Sequence, residues 1–414
     1  LTRTSTDITL DQKLQFLRRS ESYPDRPGNV EAAETHMSWV FMTDAYAYKL
    51  KKPVRYDFLD FSTVEARRRD SEEEVRLNTR LAPHIYLGIL PLTIDSAGSL
   101  EIGGEGEAVD WLVKMRRLPT DQMLDHEIKQ GIVEMADVRR AAVALAKFYR
   151  ASPSIELGES EYREQFEKNV KANLRELTDP VYRLPEELVR KIAAAQFAFL
   201  KEESELFCQR VREGKIIEAH GDLRPEHIWL GPEPVIIDCL EFRREFRILD
   251  TVDELAFLAM ECERLDAPSV GQAFLETYSE YSGDKPSEKL FFFYKSYRAT
   301  LRAKITIWHI KDSEVRNPSK WYNLAGEYLR LAEVHARVLS RYTSSRSTID
   351  PPVWMCVMAA AKSGAASRTS NLALAASEFN RNGGIVLVTM TLSSASFART
   401  SLAASANTPC DAAA

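Results

Sequence analysis

The sequence predicts an α+β fold, with a small antiparallel sheet ahead of a larger helical part, on three observations. Segments rich in aromatic and β-branched residues crowd into residues 35–120, with one helix-type segment among them. From 121 onward the apolar spacing is helical and the surface charged. One strand–loop–strand stretch, residues 216–242, interrupts those helices. A chain of 414 residues is long enough for two or three domains or for one large two-lobed unit.

Each element follows from local chemistry. Leu10, Leu14, Phe16 and Leu17 have helical spacing until "YPDRPGN" breaks the pattern, so residues 1–34 are expected to be an N-terminal helical extension. "SWVFMT" and "YAYKLKKPV" predict two strands joined at "DA". "STVEARRRDSEEEVRLNTRLAP" predicts a helix that Ser62 or Thr63 can cap and Pro83 stops. "IYLGILPLTID", "SLEI" and "AVDWLVKMRRLP" complete a sheet-bearing unit over 35–120. Residues 121–342 form the helical unit, with apolar periods at Val143, Leu145 and Phe148 and at Ile192, Phe197 and Leu200. Within it, "KIIEA" and "PVIID" are strands flanking a loop. Residues 343–414 are rich in Ser and Ala and poor in charge, a composition without the apolar face that offsets ordering entropy. That tail is expected to be disordered, with "GGIVLVTMTL" as its one candidate strand.

Composition narrows the function classes. A 44% hydrophobic and 28% charged chain is of globular type. Its net charge of -6 argues against a nucleic-acid partner, although a local basic pocket for an anion remains compatible with it. No apolar run has the length of a membrane span or signal core, so no membrane partner is expected. The five cysteines, Cys208, Cys239, Cys262, Cys356 and Cys410, form no CxxC pair, which suits free thiols in a reducing cytoplasm. The chain opens on Leu1 rather than Met, which leaves room for residues upstream.

The chemistry concentrates in "AHGDLRPEHIWL", residues 219–230, and in "VIIDCLEF" after it. Phosphoryl transfer asks for positioning, charge neutralisation, metal ions and one group to take the alcohol proton. Asp222, on a loop after a strand, suits the proton acceptor. Asp238, after the apolar "PVII", suits a hard divalent ion such as Mg²⁺. Arg224 offers a donor fork for phosphate oxygens. A strand lysine held by a helix glutamate would grip nucleotide phosphates, and Lys49 with Glu74 offers that arrangement. Lys51 and Lys52 rival Lys49, and Lys49 and Lys51 share a strand face; Glu73 rivals Glu74. The P-loop, zincin and nucleophile-elbow patterns are absent from the sequence.

In its ordered motifs the chain resembles the aminoglycoside-phosphotransferase-like branch of the protein-kinase-like fold, whose usual form is HGDxxxxN, then a strand and an Asp. "ETHMSWVFMTDAYAYKLKKPV", "FLDFSTVEARRRDSEEEVRLNTRLAP", "VKMRRLP", "EFRREFRILDTVDELAFLAMECERL" and "YKSYRATLRAKI" extend the resemblance over roughly residues 8–340, to an uncharacterised bacterial branch. The resemblance implies two lobes, a nucleotide-binding sheet lobe over 35–120 and a helical lobe over 121–342 bearing the catalytic loop, with ATP between them. It implies Lys49 on the phosphates, Glu74 as its partner, and a hinge at Met115, Arg116 and Leu118 contacting adenine through backbone groups. It makes Asp222 catalytic, with Arg224 beside it, and casts Asp253 as the brace of the catalytic loop. The reaction implied is ATP-dependent transfer of the γ-phosphoryl group to a hydroxyl of a small-molecule acceptor.

Two departures stand out. "THMSWVFMT" lacks the glycines of a kinase nucleotide loop. His227 stands where the family places an Asn that ligates metal, and imidazole is a softer donor that suits Mn²⁺ or Zn²⁺ better than Mg²⁺. His227 with Asp238 is the expected metal pair; the alternative is a catalytically weak nucleotide-binding or scaffold module. Lys295, Arg298 and Arg302 fall on one helix face, ordinarily solvated, or else a basic wall for an anionic acceptor.

Overall fold

A computed structural model describes residues 8–56, 59–311 and 317–344. The candidate strand "GGIVLVTMTL" and the Ser/Ala-rich tail from 345 on lie outside the described residues.

Thr9 opens the first helix, α1 (Leu10–Leu17), through a reciprocal capping box with Gln12. The sheet unit follows with β1 (Glu31–Glu34), β2 (Ser38–Met42), β3 (Tyr46–Lys51), β4 (Arg55–Tyr56), β5 (Leu59–Asp60), α2 (Val64–Asn78), β6 (Tyr86–Ile94), β7 (Leu100–Ile102) and β8 (Glu107–Arg116). Six of these strands form one antiparallel sheet in the order β1-β2-β3-β8-β6-β7. β1, "EAAE", has no strand-type composition of its own; pairing with β2, Glu34 opposite Trp39, makes it a strand.

The period of two in β3 divides its residues between two environments. Tyr48 and Leu50 enter a core with Leu14, Leu17, Tyr23 and Phe41, so α1 covers one face of the sheet. Lys49 and Lys51 point to the other face, where α2 lies. Thr63 rather than Ser62 caps α2, its side chain accepting from the Ala66 N–H.

The helical unit contains α3 (Leu124–Gln130), α4 (Met135–Ala151), α5 (Glu161–Leu177), α6 (Glu186–Glu202), α7 (Ser204–Arg212), β9 (Ile216–Glu218), β10 (Ile228–Trp229), β11 (Val235–Ile236), β12 (Ile248–Asp250), α8 (Thr251–Arg264), α9 (Pro268–Ser282), α10 (Glu288–Trp308) and α11 (Pro318–Ser344). Helix α10 is its axis: Leu290 through Thr300 are all buried, and Ala299, Ala303 and Ile307 join Phe257, Met260, Tyr328 and Leu329 in one core. The pairs β10–β11 and β9–β12 frame the loop of residues 219–227.

The α10 cations do not form a solvated face. Arg298 is buried in a bidentate pair with Asp253, Lys295 meets Glu263, and Arg302 meets Glu261 at 3.2 Å. Each charge is taken up inside the helical unit, and that neutralisation removes the basic wall over 295–302.

Candidate active site

Two lysines of β3 and one glutamate of α2 anchor the cleft. Lys49 Nζ lies 2.8 Å from Glu74 Oε1 and 3.1 Å from Asp238 Oδ1. Lys51 Nζ lies 2.7 Å from Glu74 Oε2, from Asp70 Oδ2 and from Glu241 Oε1. Lys52 instead turns to the sheet edge, where Nζ donates to the Thr35 carbonyl. Glu73 faces outward to Arg76. Of the rival residues, Lys49 thus links Glu74 to Asp238, and Lys51 holds the other oxygen of Glu74. Burial would strip the Lys49 proton, but Asp238 and Glu74 hold its ammonium well above the ordinary lysine range. Burial likewise opposes ionisation of Asp238, and Lys49 overcomes it, holding the carboxyl below the usual range. For Glu241 the balance goes the other way: burial pushes its carboxyl up to about 7 despite Lys51.

The catalytic-loop candidates come from 219–227. Gly221 has φ +88°, and a Cβ there would come within 3.1 Å of Arg247 and Leu240, so the His-Gly-Asp turn requires glycine. His220 is buried, with Nε2 2.8 Å from the Ile237 carbonyl and Nδ1 accepting from the Asp222 N–H. Burial lowers its pKa to about 4, which keeps the ring neutral. The loop backbone is held by Glu254, which accepts from the His220 and Gly221 N–H groups and from the Tyr149 hydroxyl. This corrects the expectation for Asp253, which serves Arg298 instead. Consecutive helix residues point about 100° apart, so only one of the two can face the loop.

Asp222 keeps 16% of its side chain exposed, whereas Arg224 and His227 beside it are buried. The Arg224 Nε lies 3.3 Å from Asp222 Oδ2 and its Nη2 3.3 Å from His227 Nε2. His227 Nδ1 sits 2.8 Å from the Asp222 carbonyl, which can only accept. Nδ1 therefore carries the proton, and the Nε2 lone pair faces Asp238 Oδ2 at 3.7 Å. That tautomer is the one a metal-binding imidazole needs. One imidazole nitrogen and one carboxylate fit a divalent ion as a two-point protein donor set, with phosphate and water completing it. Among the described residues no three His, Cys, Asp or Glu side chains form a closed metal cage.

Asp238 has φ +60°, a left-handed conformation sustained by donors and acceptors around it. The Tyr86 hydroxyl lies 3.1 Å from its N–H, and Asn78 Oδ1 accepts from the Cys239 N–H. The expected hinge residues run from the sheet to the helices: Met115 is buried opposite Ala47 and Tyr86, Arg116 ends β8, and Leu118 lies half-buried beyond it. In the Gly-free turn between β1 and β2, the Thr35 hydroxyl accepts from the Ser38 N–H, doing the work of a tight glycine turn. His36 at that turn meets the His309 ring, just past α10, edge-on at 5.6 Å.

Lys51 as a structural ion, Glu241, Glu254 and Tyr86 were missed from the sequence. Two local signals pointed to them, the strand face that Lys51 shares with Lys49 and the position of Glu241 three residues after Asp238.

No family model matches the chain. An uncharacterised protein of Mycobacterium tuberculosis and one of Mycobacterium bovis are each 36% identical to it over 282 residues, 67% of this chain and 54% of theirs. The chain thus spans about half the length of the curated relatives it matches. Among solved structures, it is similar to a choline/ethanolamine kinase family protein from Mesorhizobium loti (TM-score 0.47, 14% identity, 80% of this chain and 98% of that one). It is also similar to a choline kinase from Cryptosporidium parvum (0.47, 12%, 80% and 97%) and to a thermostable mutant of an aminoglycoside phosphotransferase (0.43, 10%, 77% and 96%). In this chain the strand lysine on its helix glutamate, the loop after β9 and the aspartate after β11 are set in a mixed fold, an antiparallel sheet followed by a larger helical part.

Proposed function

We propose that the chain is an ATP-dependent phosphotransferase that moves the γ-phosphoryl group to a hydroxyl of a small molecule. One observation carries this: the Lys49 ammonium stands between Glu74 and Asp238, 2.8 and 3.1 Å away. Glu74 orients the cation, and Asp238 is the carboxylate a phosphate-bound cation would take. In this reading Lys49 turns from Asp238 to the nucleotide phosphates. Asp238 Oδ2 and His227 Nε2 hold Mg²⁺ or Mn²⁺, which when bound supplies charge neutralisation across the phosphates. The backbone from Met115 through Arg116 to Leu118 receives the adenine.

Asp222, the exposed carboxylate of the loop, orients the acceptor hydroxyl and takes its proton. Arg224 keeps positive charge beside that carboxylate and the transferring group. Glu254 and His220 act only through the loop backbone, which they keep in one conformation.

Calorimetry of ATP with Mg²⁺ and then Mn²⁺, followed by ATP turnover, tests the proposal. Asp222→Asn should retain nucleotide binding and lose turnover by roughly 10²-fold or more, the scale of a lost general base. Absence of ATP binding with either metal in the unmutated protein would sink it. The second reading, a weak nucleotide-binding module, is favoured by His227 in place of Asn; it predicts binding with no turnover for Asp222→Asn to remove.

A further inference from the structure

We propose that Lys51 is a positioning residue of the nucleotide site: it fixes Glu74 and the loop after Asp238 to one another, so that Lys49 can exchange Asp238 for phosphate. This rests on the phosphotransferase reading and assigns a task that reading leaves open.

Lys51 has no exposed side-chain surface, so it cannot itself be a phosphate ligand. Its Nζ holds three carboxylates from two sides of the cleft: Asp70 and Glu74, one turn apart on α2, and Glu241 from the loop after β11. Glu74 is divided between the lysines, Oε1 to Lys49 and Oε2 to Lys51. If Lys49 alone served it, the departure of Lys49 toward phosphate would leave a fully buried carboxylate without a counter-charge, the costliest state a buried ion pair can reach. Lys51 removes that obstacle. The movable cation is Lys49, whose side chain is 8% exposed at the cleft; the fixed one is Lys51.

Glu241 extends the argument to the metal-binding candidate. Asp238 holds its left-handed backbone on a loop that the sheet unit pins at three points, while from the helical unit the His220 carbonyl accepts from the Leu240 N–H and Arg247 donates to the Leu240 and Glu241 carbonyls. Tyr86 holds the Asp238 N–H, Asn78 the Cys239 N–H, and Lys51 the Glu241 carboxylate at 2.7 Å. All three partners belong to the sheet unit, on β6, α2 and β3. The Asp238 carboxylate is thus aimed from the side of the cleft that carries Lys49, and Lys51 is the charged one of the three pins. A purely structural ion cluster would alter stability without altering how the site responds to metal.

The measurement is the free Mg²⁺ concentration that half-saturates ATP binding, read by calorimetry on the full chain, with a thermal melt on each variant. Lys51→Met and Glu241→Ala are each expected to raise that concentration at least tenfold. Glu241→Gln, which keeps an acceptor oxygen for the Lys51 ammonium, is expected to restore most of the wild-type value. If Lys51→Met fails to fold, the two Glu241 variants decide, since they leave Lys51 paired with Asp70 and Glu74. An unchanged Mg²⁺ dependence in folded variants, or an equal loss of ATP affinity with and without metal, overturns the inference while the phosphotransferase reading stands. Failure of the unmutated protein to bind ATP at all overturns both.

Discussion

His227 concentrates the chemistry of this site in one ring. Its Nδ1 is committed to the Asp222 carbonyl, so any ligand it offers comes from Nε2, and the Arg224 guanidinium already leans on that lone pair. A nitrogen donor beside one carboxylate favours Mn²⁺ over Mg²⁺ relative to an oxygen donor in the same place. We predict that His227→Asn shifts the ratio of Mn²⁺ to Mg²⁺ affinity toward Mg²⁺ by about tenfold, the lower end of what changes around a metal ligand produce. ATP-binding titrations with each metal check it; an unmoved ratio would make His227 a loop-bracing histidine only. The residues in this part of the site were legible because they crowd into twenty consecutive positions, 219–238, with a glycine whose backbone no other residue adopts cheaply. The shared face of Lys49 and Lys51 was legible too, but the meeting of Lys51 with Glu241 was not, because the two lie 190 positions apart in sequence.

Helix α8 shows what a helix period hides. Asp253 and Glu254 are neighbours in sequence and serve different partners, the first Arg298 on α10, the second the backbone at His220 and Gly221. Register alone could not say which of the two faces the loop. Farther along the same helix, Glu263 binds Lys295 of α10 and His335 of α11. Burial works against its ionisation, but Lys295 and His335 bring its pKa down to about 2. A carboxyl depressed in the folded state contributes stability that is complete above its unfolded value, about 4.3, and is lost as pH falls through that value toward 2. The full term is worth about 3 kcal/mol. Glu263→Gln should therefore destabilise the protein at pH 7 and flatten the acid limb of its stability profile below pH 4.5, as urea titrations at several pH values will show. An acid limb of unchanged slope would mean that other carboxylates carry it. Breaking the buried Asp253–Arg298 pair is the sharper lesion: Arg298→Met leaves a carboxylate buried and should cost about 3–5 kcal/mol.

Across the whole described molecule, α2 is the element on which sheet and helices meet. Arg80, just past its end, donates to the Glu218 and Ala219 carbonyls at the head of the loop after β9 and lies 5.0 Å over the Phe148 ring. Arg247 reaches from the helical unit to Glu73 on the same helix. Removing Arg80 leaves two backbone carbonyls short of a donor, a change of about 1–3 kcal/mol. Arg80→Ala should thus lower stability by that amount and speed amide exchange in both α2 and the residues 217–222, measured by hydrogen exchange. Exchange confined to α2 would deny the coupling. The order of strands and helices was readable from periodicity because each segment is long and patterned. β1, β4, β5 and β10 were not, since their partners and not their composition make them strands, whereas β11 was readable within "PVIID".

The Lys49–Asp238 ion pair has a thermodynamic consequence for the order in which ligands arrive. Each member of the pair is the other's counter-ion until something replaces it. A nucleotide that draws Lys49 away strands Asp238, and a cation that captures Asp238 leaves Lys49 to Glu74 alone. Either ligand alone bears the whole cost of parting them, and the second to arrive bears none. On the phosphotransferase reading, nucleotide and divalent cation are therefore expected to be linked ligands with positive coupling, each raising the affinity of the other by the same factor, which paired titrations of each ligand in the presence of the other will check.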